Sequence, residues 1–496
     1  MDAKVDTLTR YKMWIGGEWT DAVSGESFET HNPYTGKAWA LIPRAGADDV
    51  DRAVKAAHRA FTNGPWPKMT ASQRGALLRK LGDLITENAE KLAKIEVADN
   101  GKLFSEMRGQ TGYMAQWYYY FGGLADKIEG AVIPSDKAET FNYTEHEPLG
   151  VVAAIVPWNS PLLLTAWKLA PALAAGNTAV IKPSEFTSAS LLEFCKLIEQ
   201  AGFPPGVVNA VTGFGSEAGT PLVEHPLVAK ITFTGSDTTG QRIYETAARG
   251  MKRVSLELGG KSPNIVFDDA NLDNAVKGAI SGIFAATGQT CIAGSRLLVQ
   301  RSIHDRFVEK LVAFAKTARM GDPMSLDTQV GPVTTPPQYK KVLEYLDIAK
   351  AEGATAALGG KRAEQFGGYF VEPTIFTGVK NSMRIAQEEV FGPVLSVIPF
   401  EDEEDAIRIG NDVVYGLAAG VWTQSMRRAF TMAKRLQAGT VWINTYRAVS
   451  YLSPFGGYKR SGIGRESGQD MIKEYLQTKS VWISMATEVP NPFVMR

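Results

Sequence analysis

Two of the 496 residues are cysteines, and they sit in opposite settings. Cys195 lies in Leu191-Leu-Glu-Phe-Cys-Lys-Leu-Ile198, at helical spacing among apolar neighbours, where a thiol reads as core filling. Cys291 lies in Gly288-Gln-Thr-Cys-Ile-Ala-Gly294, whose small and polar flanks read as a loop that presents a reactive thiol. A free thiol titrates near about 8.5, so it needs a base or fixed dipoles beside it at neutral pH. Glu257, which closes the apolar run Arg253-Val-Ser-Leu-Glu257, is the candidate base, with a surface or helix-capping carboxylate as the bland alternative. Asn159, in Pro157-Trp158-Asn159, offers an amide able to hold a developing oxyanion, unless it simply starts the next helix. Lys168 is either a structural lysine with a buried stem or a proton relay. A thiol with a candidate base beside it is enough to propose covalent catalysis, and the rest of the chain decides which kind.

The elements that must position these groups follow from the apolar pattern. Short apolar runs at Val151–Val156, Thr178–Lys182, Val207–Val211, Lys230–Phe233 and Val254–Glu257 alternate with helical stretches at Leu162–Ala175, Ser188–Ala201, Ser216–Glu224 and Ser236–Arg249. That rhythm predicts an α/β fold, a parallel sheet covered by helices on both faces, with ligands gathering at the carboxyl ends of the strands. Asn159, Lys182, Glu185, Ser236 and Glu257 all fall there. A second strand–helix alternation runs from Asn264 to about Gly439, with Cys291 near its start. Ile128–Glu147 and the tail from Leu476 fit neither unit; both alternate apolar and polar residues, as edge strands do. The N-terminal region predicts a hairpin at Trp14–Trp19 and helices at Ala47–Phe61 and Ala71–Ala98.

Composition removes several classes. Lys+Arg and Asp+Glu number 53 each, so there is no basic excess of the kind a nucleic-acid binder shows. Met1–Lys12 is polar, without the apolar core of a secretion signal. The longest apolar run, near Val151–Leu164, is interrupted by Pro157, Asn159 and Pro161, so no membrane span is expected. Two cysteines give no disulfide framework, which makes a reducing cytoplasm the expected compartment. The five histidines show no ligand spacing, and no metal is expected.

The common Gly-x-Gly-x-x-Gly dinucleotide turn is absent. Gly213-Phe-Gly215-Ser-Glu-Ala-Gly219 comes nearest, with its last glycine one residue late, and reads by itself as a helix-entry loop. In Phe233-Thr-Gly235-Ser236, glycine permits close approach of a ligand, and Ser236 either caps the next helix or receives a pyrophosphate at its N-terminus. Lys182-Pro-Ser184-Glu185 offers a donor and an acceptor for ribose hydroxyls, or is a solvated loop pair. A carboxylate on the ribose disfavours a 2′-phosphate, since like charges ~4 Å apart repel by up to ~4 kcal/mol at an effective dielectric near 20.

Taken together the chain resembles the NAD(P)-dependent aldehyde dehydrogenase superfamily over nearly its whole length. The marks are Pro157-Trp-Asn159, Lys182-Pro-Ser-Glu185, Phe233-Thr-Gly-Ser236, Glu257-Leu-Gly-Gly-Lys-Ser-Pro263, Gly288-Gln-Thr-Cys291, Glu388-Glu-Val-Phe-Gly-Pro393 and Ser453-Pro-Phe-Gly-Gly-Tyr-Lys459, in this order. The resemblance implies that Cys291 is the nucleophile, Glu257 the base, and Asn159 with the Cys291 N–H the oxyanion site. It implies that Lys182, Glu185 and Ser236 hold the adenosine side of NAD, Glu389 the nicotinamide ribose, and that Phe391 packs by the nicotinamide. Trp158, Ser184, Gly215, Phe233, Gly235 and Leu258 complete the cofactor contacts. NADP is the less favoured cofactor. By family position Tyr113, Ser160, Trp167, Thr290, Ile292, Val449 and Phe455 line the substrate pocket, mostly apolar and suited to a medium aliphatic or aromatic aldehyde. Ser160 and Val449 stand where many relatives carry aromatics, which implies a wider tunnel. Arg447, in the same loop, either attracts a carboxylate-bearing semialdehyde or is a solvated rim residue.

The same resemblance implies a fold of two doubly wound parallel-sheet domains, a Rossmann-like cofactor domain (1–127 and 148–258) and a catalytic domain (259–460). A small β arm with the C-terminal tail (128–147 and 461–496) would build a homodimer or homotetramer. Members that pass the acyl group to coenzyme A commonly lack the glutamate, so Glu257 points to hydrolysis. A cofactor-independent thiol esterase using Cys291, Asn159 and Glu257 is the rival reading, distinguished by whether NAD binds.

Overall fold

The computed structural model describes residues 8–489 and 491–494. Most of the polar leader Met1–Lys12 and the last residues of the tail, at 490 and 495–496, thus lie outside the described residues. An eight-stranded sheet runs in the order Gly462–Ile463, Arg253–Glu257, Val228–Thr234, Val151–Ile155, Thr178–Lys182, Val208–Ala210, Met13–Ile15, Glu18–Thr20. The five strands from Arg253–Glu257 to Val208–Ala210 are parallel. Most of their residues are buried because helices cover both faces. Thr178–Lys182 is buried along its whole length, Lys182 included. The Pro161–Ala174 helix starts with proline at its first position and buries every residue, as its all-round apolar sequence requires.

A seven-stranded sheet follows, ordered Thr355–Leu358, Thr374–Thr377, Val394–Phe400, Arg296–Gln300, Pro263–Val266, Ala418–Trp422, Thr440–Ile443. All its pairs are parallel except the first. Thr9–Arg10, Ala38–Pro43 and Ser27–His31 form a further small sheet. The two orphan segments find each other: Leu476–Ser484 pairs antiparallel with Thr140–Pro148, and Val132–Ile133 joins the far edge.

Two differences from the sequence reading stand out. The tail does not leave at residue 461, because Gly462–Ile463 pairs back onto Arg253–Glu257. The arm begins only at Leu476. The Phe104–Leu124 helix was not expected from its sequence, which carries Gly109, Gly112, Gly122 and Gly123. Glycine is a poor helix former in isolation. Here it serves packing: a Cβ on Gly122 would come 2.9 Å from the Gly75 carbonyl oxygen, so glycine lets this helix lie close against Ala71–Asn100.

Candidate active site

Cys291 sits on the connection from the Leu272–Phe284 helix to the Arg296–Gln300 strand. The chain turns there through three left-handed residues, Ala286, Thr287 and Gly288 (φ 54°, 55° and 71°). Only glycine fits the third, since a Cβ on Gly288 would overlap the Gly392 carbonyl. The buried Gln289 side chain accepts from the Thr334 N–H at 2.8 Å and ties the loop to its neighbour. Cys291 is a free, half-buried thiol. Burial first, then Glu257 and Glu389, push it up to about 12, while the backbone N–H groups of Ile292 and Cys291 draw it down. Cys195, by contrast, is fully buried in the core.

Asn159 is buried, and its Nδ2 donates to the Gln289 carbonyl at 3.0 Å. One amide hydrogen thereby fixes the side chain on the nucleophile loop, and the other stays available. Glu257 ends its strand buried, with neither carboxyl oxygen hydrogen-bonded to protein. Burial chiefly, and Glu466 next, hold it well above the usual carboxylate range; Lys168 and Arg465 oppose that. A Cβ on Gly456 would come 2.7 Å from Glu257 Oε1, so that glycine keeps room beside the carboxyl. Behind it, Lys168 Nζ donates to Glu466 Oε1 at 2.7 Å, both side chains about 1% exposed. Thr232 Oγ1 donates to the same oxygen at 3.3 Å. Glu466 was not singled out from the sequence; a carboxylate in the glycine-rich turn Gly462–Gly468 gives no pattern until the fold sets it beside Lys168.

A cavity of about 130 Å³ opens between the carboxyl ends of the first sheet and the loops of the second. Its wall includes Trp158, Asn159, Gly235, Ser236, Leu258, Cys291, Glu389 and Phe391. Trp158 and Phe391 meet edge to face at 5.2 Å. Glu389 Oε1 accepts from the Gly260 N–H at 3.0 Å. Ser236 caps the Asp237–Arg249 helix, its Oγ accepting from the Thr239 N–H at 3.3 Å. Phe233 is buried with its ring where a Cβ on Gly235 would go, and Leu258 fills the same role against Gly240. Gln338 and Lys341 also line the cavity and were missed. They project from Pro336–Ala351, and Gln338 Nε2 donates to the carbonyls of Val390 and Phe391 at 2.7 and 3.0 Å, anchoring that segment.

Lys182, Ser184, Glu185 and Gly215 do not line this cavity. Lys182 Nζ lies 3.8 Å from Glu185 Oε2 and donates to the Pro183 carbonyl at 2.8 Å; burial lowers it to about 8. Glu185 lines a neighbouring cavity of about 230 Å³ with Phe186, Phe214 and Thr334. Ser184 Oγ accepts from the Phe186 N–H at 3.4 Å. Gly215 is exposed at the start of the turn Gly215–Gly219, whose buried end lies against the Lys182 side chain.

On the substrate side a row of rings forms. Tyr113 stands edge-on to Trp117 at 5.3 Å, Trp117 stacks on Trp167 at 5.6 Å, and Trp167 meets Phe455 at 5.1 Å. Trp117, unremarked in the sequence, is the centre of that row. Thr290 Oγ1 is buried without a partner. Ile292 is buried and its carbonyl accepts from Tyr446 Oη at 3.0 Å. Val449 is partly buried. Ser160 Oγ accepts from Lys102 Nζ at 3.0 Å, and Arg447 Nη1 donates to the Ser281 carbonyl at 3.2 Å.

The profile described as the aldehyde dehydrogenase family matches residues 19–481. A (Z)-2-((N-methylformamido)methylene)-5-hydroxybutyrolactone dehydrogenase from Acinetobacter baylyi is 47% identical, over 99% of this chain and all of its own. A crystal structure of betaine aldehyde dehydrogenase from Staphylococcus aureus, in complex with NAD+, superposes with a TM-score of 0.96 at 42% identity, covering 98% of this chain and 96% of that one. An aldehyde dehydrogenase from Bacillus cereus superposes with a TM-score of 0.94 at 47% identity, over 96% and 97% of the two chains.

Proposed function

This chain belongs to the aldehyde dehydrogenase family, and on that premise we propose that it oxidises an aldehyde to the carboxylic acid with reduction of NAD. The observation that carries the proposal is a single cavity that brings the Cys291 thiol and the Asn159 amide to the same wall as Glu389, Ser236 and Phe391. A dinucleotide fits these residues: Glu389 offers a carboxylate for ribose hydroxyls, and the Asp237 helix N-terminus favours a pyrophosphate. Gly235 lines the cavity with the Phe233 ring packed against it, and Lys182 with Glu185, which lines the neighbouring cavity, would take the adenosine ribose. The Glu185 carboxylate favours NAD over NADP.

The chain's own groups then act in order. Cys291, relieved of its proton, adds through sulfur to the aldehyde carbon. The Asn159 amide and the Cys291 N–H donate to the resulting oxyanion; losing one such donor typically costs ~3–4 kcal/mol of barrier. Bound NAD supplies the acceptor for the hydride that this carbon releases. The acyl group stays on Cys291 as a thioester. Glu257, in its ionised form, takes a proton from water, and the hydroxide equivalent attacks the thioester, freeing the acid and the thiol. The Lys168–Glu466 pair tunes Glu257 through its charges. The esterase alternative uses the same three residues but leaves Glu389, Ser236 and the ring pair without a task, and the comparisons lend it no support.

Among the described residues no helix is long and apolar enough to cross a membrane. We place the enzyme in the cytoplasm and assign residues 128–147 and the strand from Leu476 to an oligomerisation arm that builds a dimer or tetramer. We assign the cofactor unit to the eight-stranded sheet and the catalytic unit to the seven-stranded one. The test is an NADH-production assay over chemically varied aldehydes with NAD and NADP. The expected result is one NADH per acid formed and a preference for NAD; no NADH with any aldehyde, despite ester cleavage, would overturn the reading.

A further inference from the structure

The wall of the cavity that holds Cys291 carries one cation, Lys341, and one carboxylate, Glu389. A pyrophosphate finds no excess of positive charge there and depends on the N-terminus of the Asp237–Arg249 helix. An α-helix leaves its first four N–H groups without internal partners. Here two of them are taken by side chains of the same turn. Ser236 Oγ accepts from the Thr239 N–H at 3.3 Å, and Asp237 Oδ1 accepts from the Thr238 N–H at 2.9 Å. The second acceptor is a carboxylate. It suits the helix dipole, yet it puts a negative charge beside the N–H groups that a pyrophosphate needs.

A distant part of the chain answers that charge. Arg460 Nε and Nη2 both donate to Asp237 Oδ2, at 3.2 and 3.1 Å, and Nη2 also donates to Gln241 Oε1 at 3.4 Å. Gln241 stands one turn further along the same helix, and its Nε2 donates to Glu245 Oε1 at 3.0 Å, which leaves its oxygen to the arginine. The loop that carries Arg460 is fixed from two sides. Lys459 Nζ donates to the carbonyls of Asn411 and Val413 at 2.7 and 3.2 Å, and the Arg460 N–H to the carbonyl of Val414 at 3.1 Å. Ser461 is fully buried; its Oγ donates to the Gly259 carbonyl at 2.7 Å and accepts from the Gly416 N–H at 2.9 Å. Its carbonyl accepts from the Leu258 N–H at 2.9 Å. Leu258 and Gly259 line the same cavity as Ser236, so the loop that aims the guanidinium is bonded to the cavity wall. The Arg460 and Asp237 side chains are 51% and 21% exposed, and a pair so open to solvent adds little to stability. Its charge is what matters here.

We propose that Arg460 is a positioning residue for the cofactor: it neutralises Asp237 and holds that carboxylate to one side, so that the helix end accepts the pyrophosphate of NAD. This inference rests on the redox reading above and adds a residue to its cofactor site.

The test is calorimetric titration with NAD of the native enzyme, Arg460→Met, Arg460→Lys and the double variant Arg460→Met with Asp237→Asn. The binding stoichiometry reports the folded fraction of each, so losses of folded enzyme do not enter the Kd. Arg460→Met leaves the Asp237 charge bare, and its Kd should rise at least about fivefold, the scale of a like charge acting across a partly exposed site. Arg460→Lys should keep most of the native affinity, and the double variant should regain most of it, because the charge that repels is gone. A native Kd in Arg460→Met, or a loss that the double variant does not recover, overturns the assignment and spares the redox reading. A native enzyme that does not bind NAD overturns both.

Discussion

Burial raises both the thiol and the carboxyl that would do the chemistry. For Cys291 the value rises to about 12, with Glu257 and Glu389 adding to the burial. Glu257→Gln removes one of those charges, so the pH midpoint of Cys291 alkylation by iodoacetamide should move down; an unmoved midpoint would detach the carboxyl from the thiol. A carboxyl with a raised value acts as a base only once pH passes that value, so thioester hydrolysis should climb with pH, with its rising limb above the usual carboxylate range. Glu466 is the leading charge that raises Glu257. In Glu466→Gln that charge is gone while Lys168 stays, and the rising limb of steady-state turnover should shift to lower pH. A shift to higher pH would contradict the assignment. Lys168→Met instead leaves Glu466 buried and unpaired, and breaking a pair of this kind typically costs ~3–5 kcal/mol, to be read by denaturant unfolding.

At the scale of elements, the loop before Cys291 is the most demanding piece of backbone in the site. Gly288→Ala would put a Cβ against the Gly392 carbonyl at φ 71°, and the left-handed conformation alone costs a non-glycine residue ~1–2 kcal/mol. The expected outcome is a lower melting temperature and a smaller NADH burst; a native burst would show that the loop tolerates another path. The legibility of elements in the sequence divides along physical lines. The strands from Val151 to Glu257 were readable because burial on both faces leaves each a short, largely apolar run. The Phe104–Leu124 helix was not, because glycine weighs against a helix by propensity, while Gly122 answers to the Ala71–Asn100 helix packed against it. Cys291, Glu257 and Asn159 were legible through local motifs. Glu466, Lys102, Gln338 and Trp117 were not, since each gains its meaning from a partner that only the fold supplies.

For the molecule as a whole, the three-stranded arm is the feature a lone chain does not explain. Val132, Phe141, Trp482 and Ile483 stand 68%, 41%, 57% and 45% exposed on it, an apolar edge that usually has a cover. Phe141→Asp with Trp482→Asp should give a smaller solution mass than the native enzyme, measured by light scattering. A native enzyme that is already monomeric, or a mass the double variant leaves unchanged, would contradict the arm's assignment. The alternation of strands and helices indicated two parallel-sheet units in advance, but the return of Gly462–Ile463 to the first sheet was invisible, because a two-residue strand carries no periodicity.

The account depends most on a covalent bond between Cys291 and the substrate carbon, and mass spectrometry of acid-quenched Glu257→Gln after rapid mixing with NAD and aldehyde tests it directly. The prediction is an acyl increment on the peptide bearing Cys291, with up to one NADH formed per site before turnover slows, and neither in Cys291→Ala. NADH formed while Cys291 stays unmodified, or native turnover in Cys291→Ala, would contradict it.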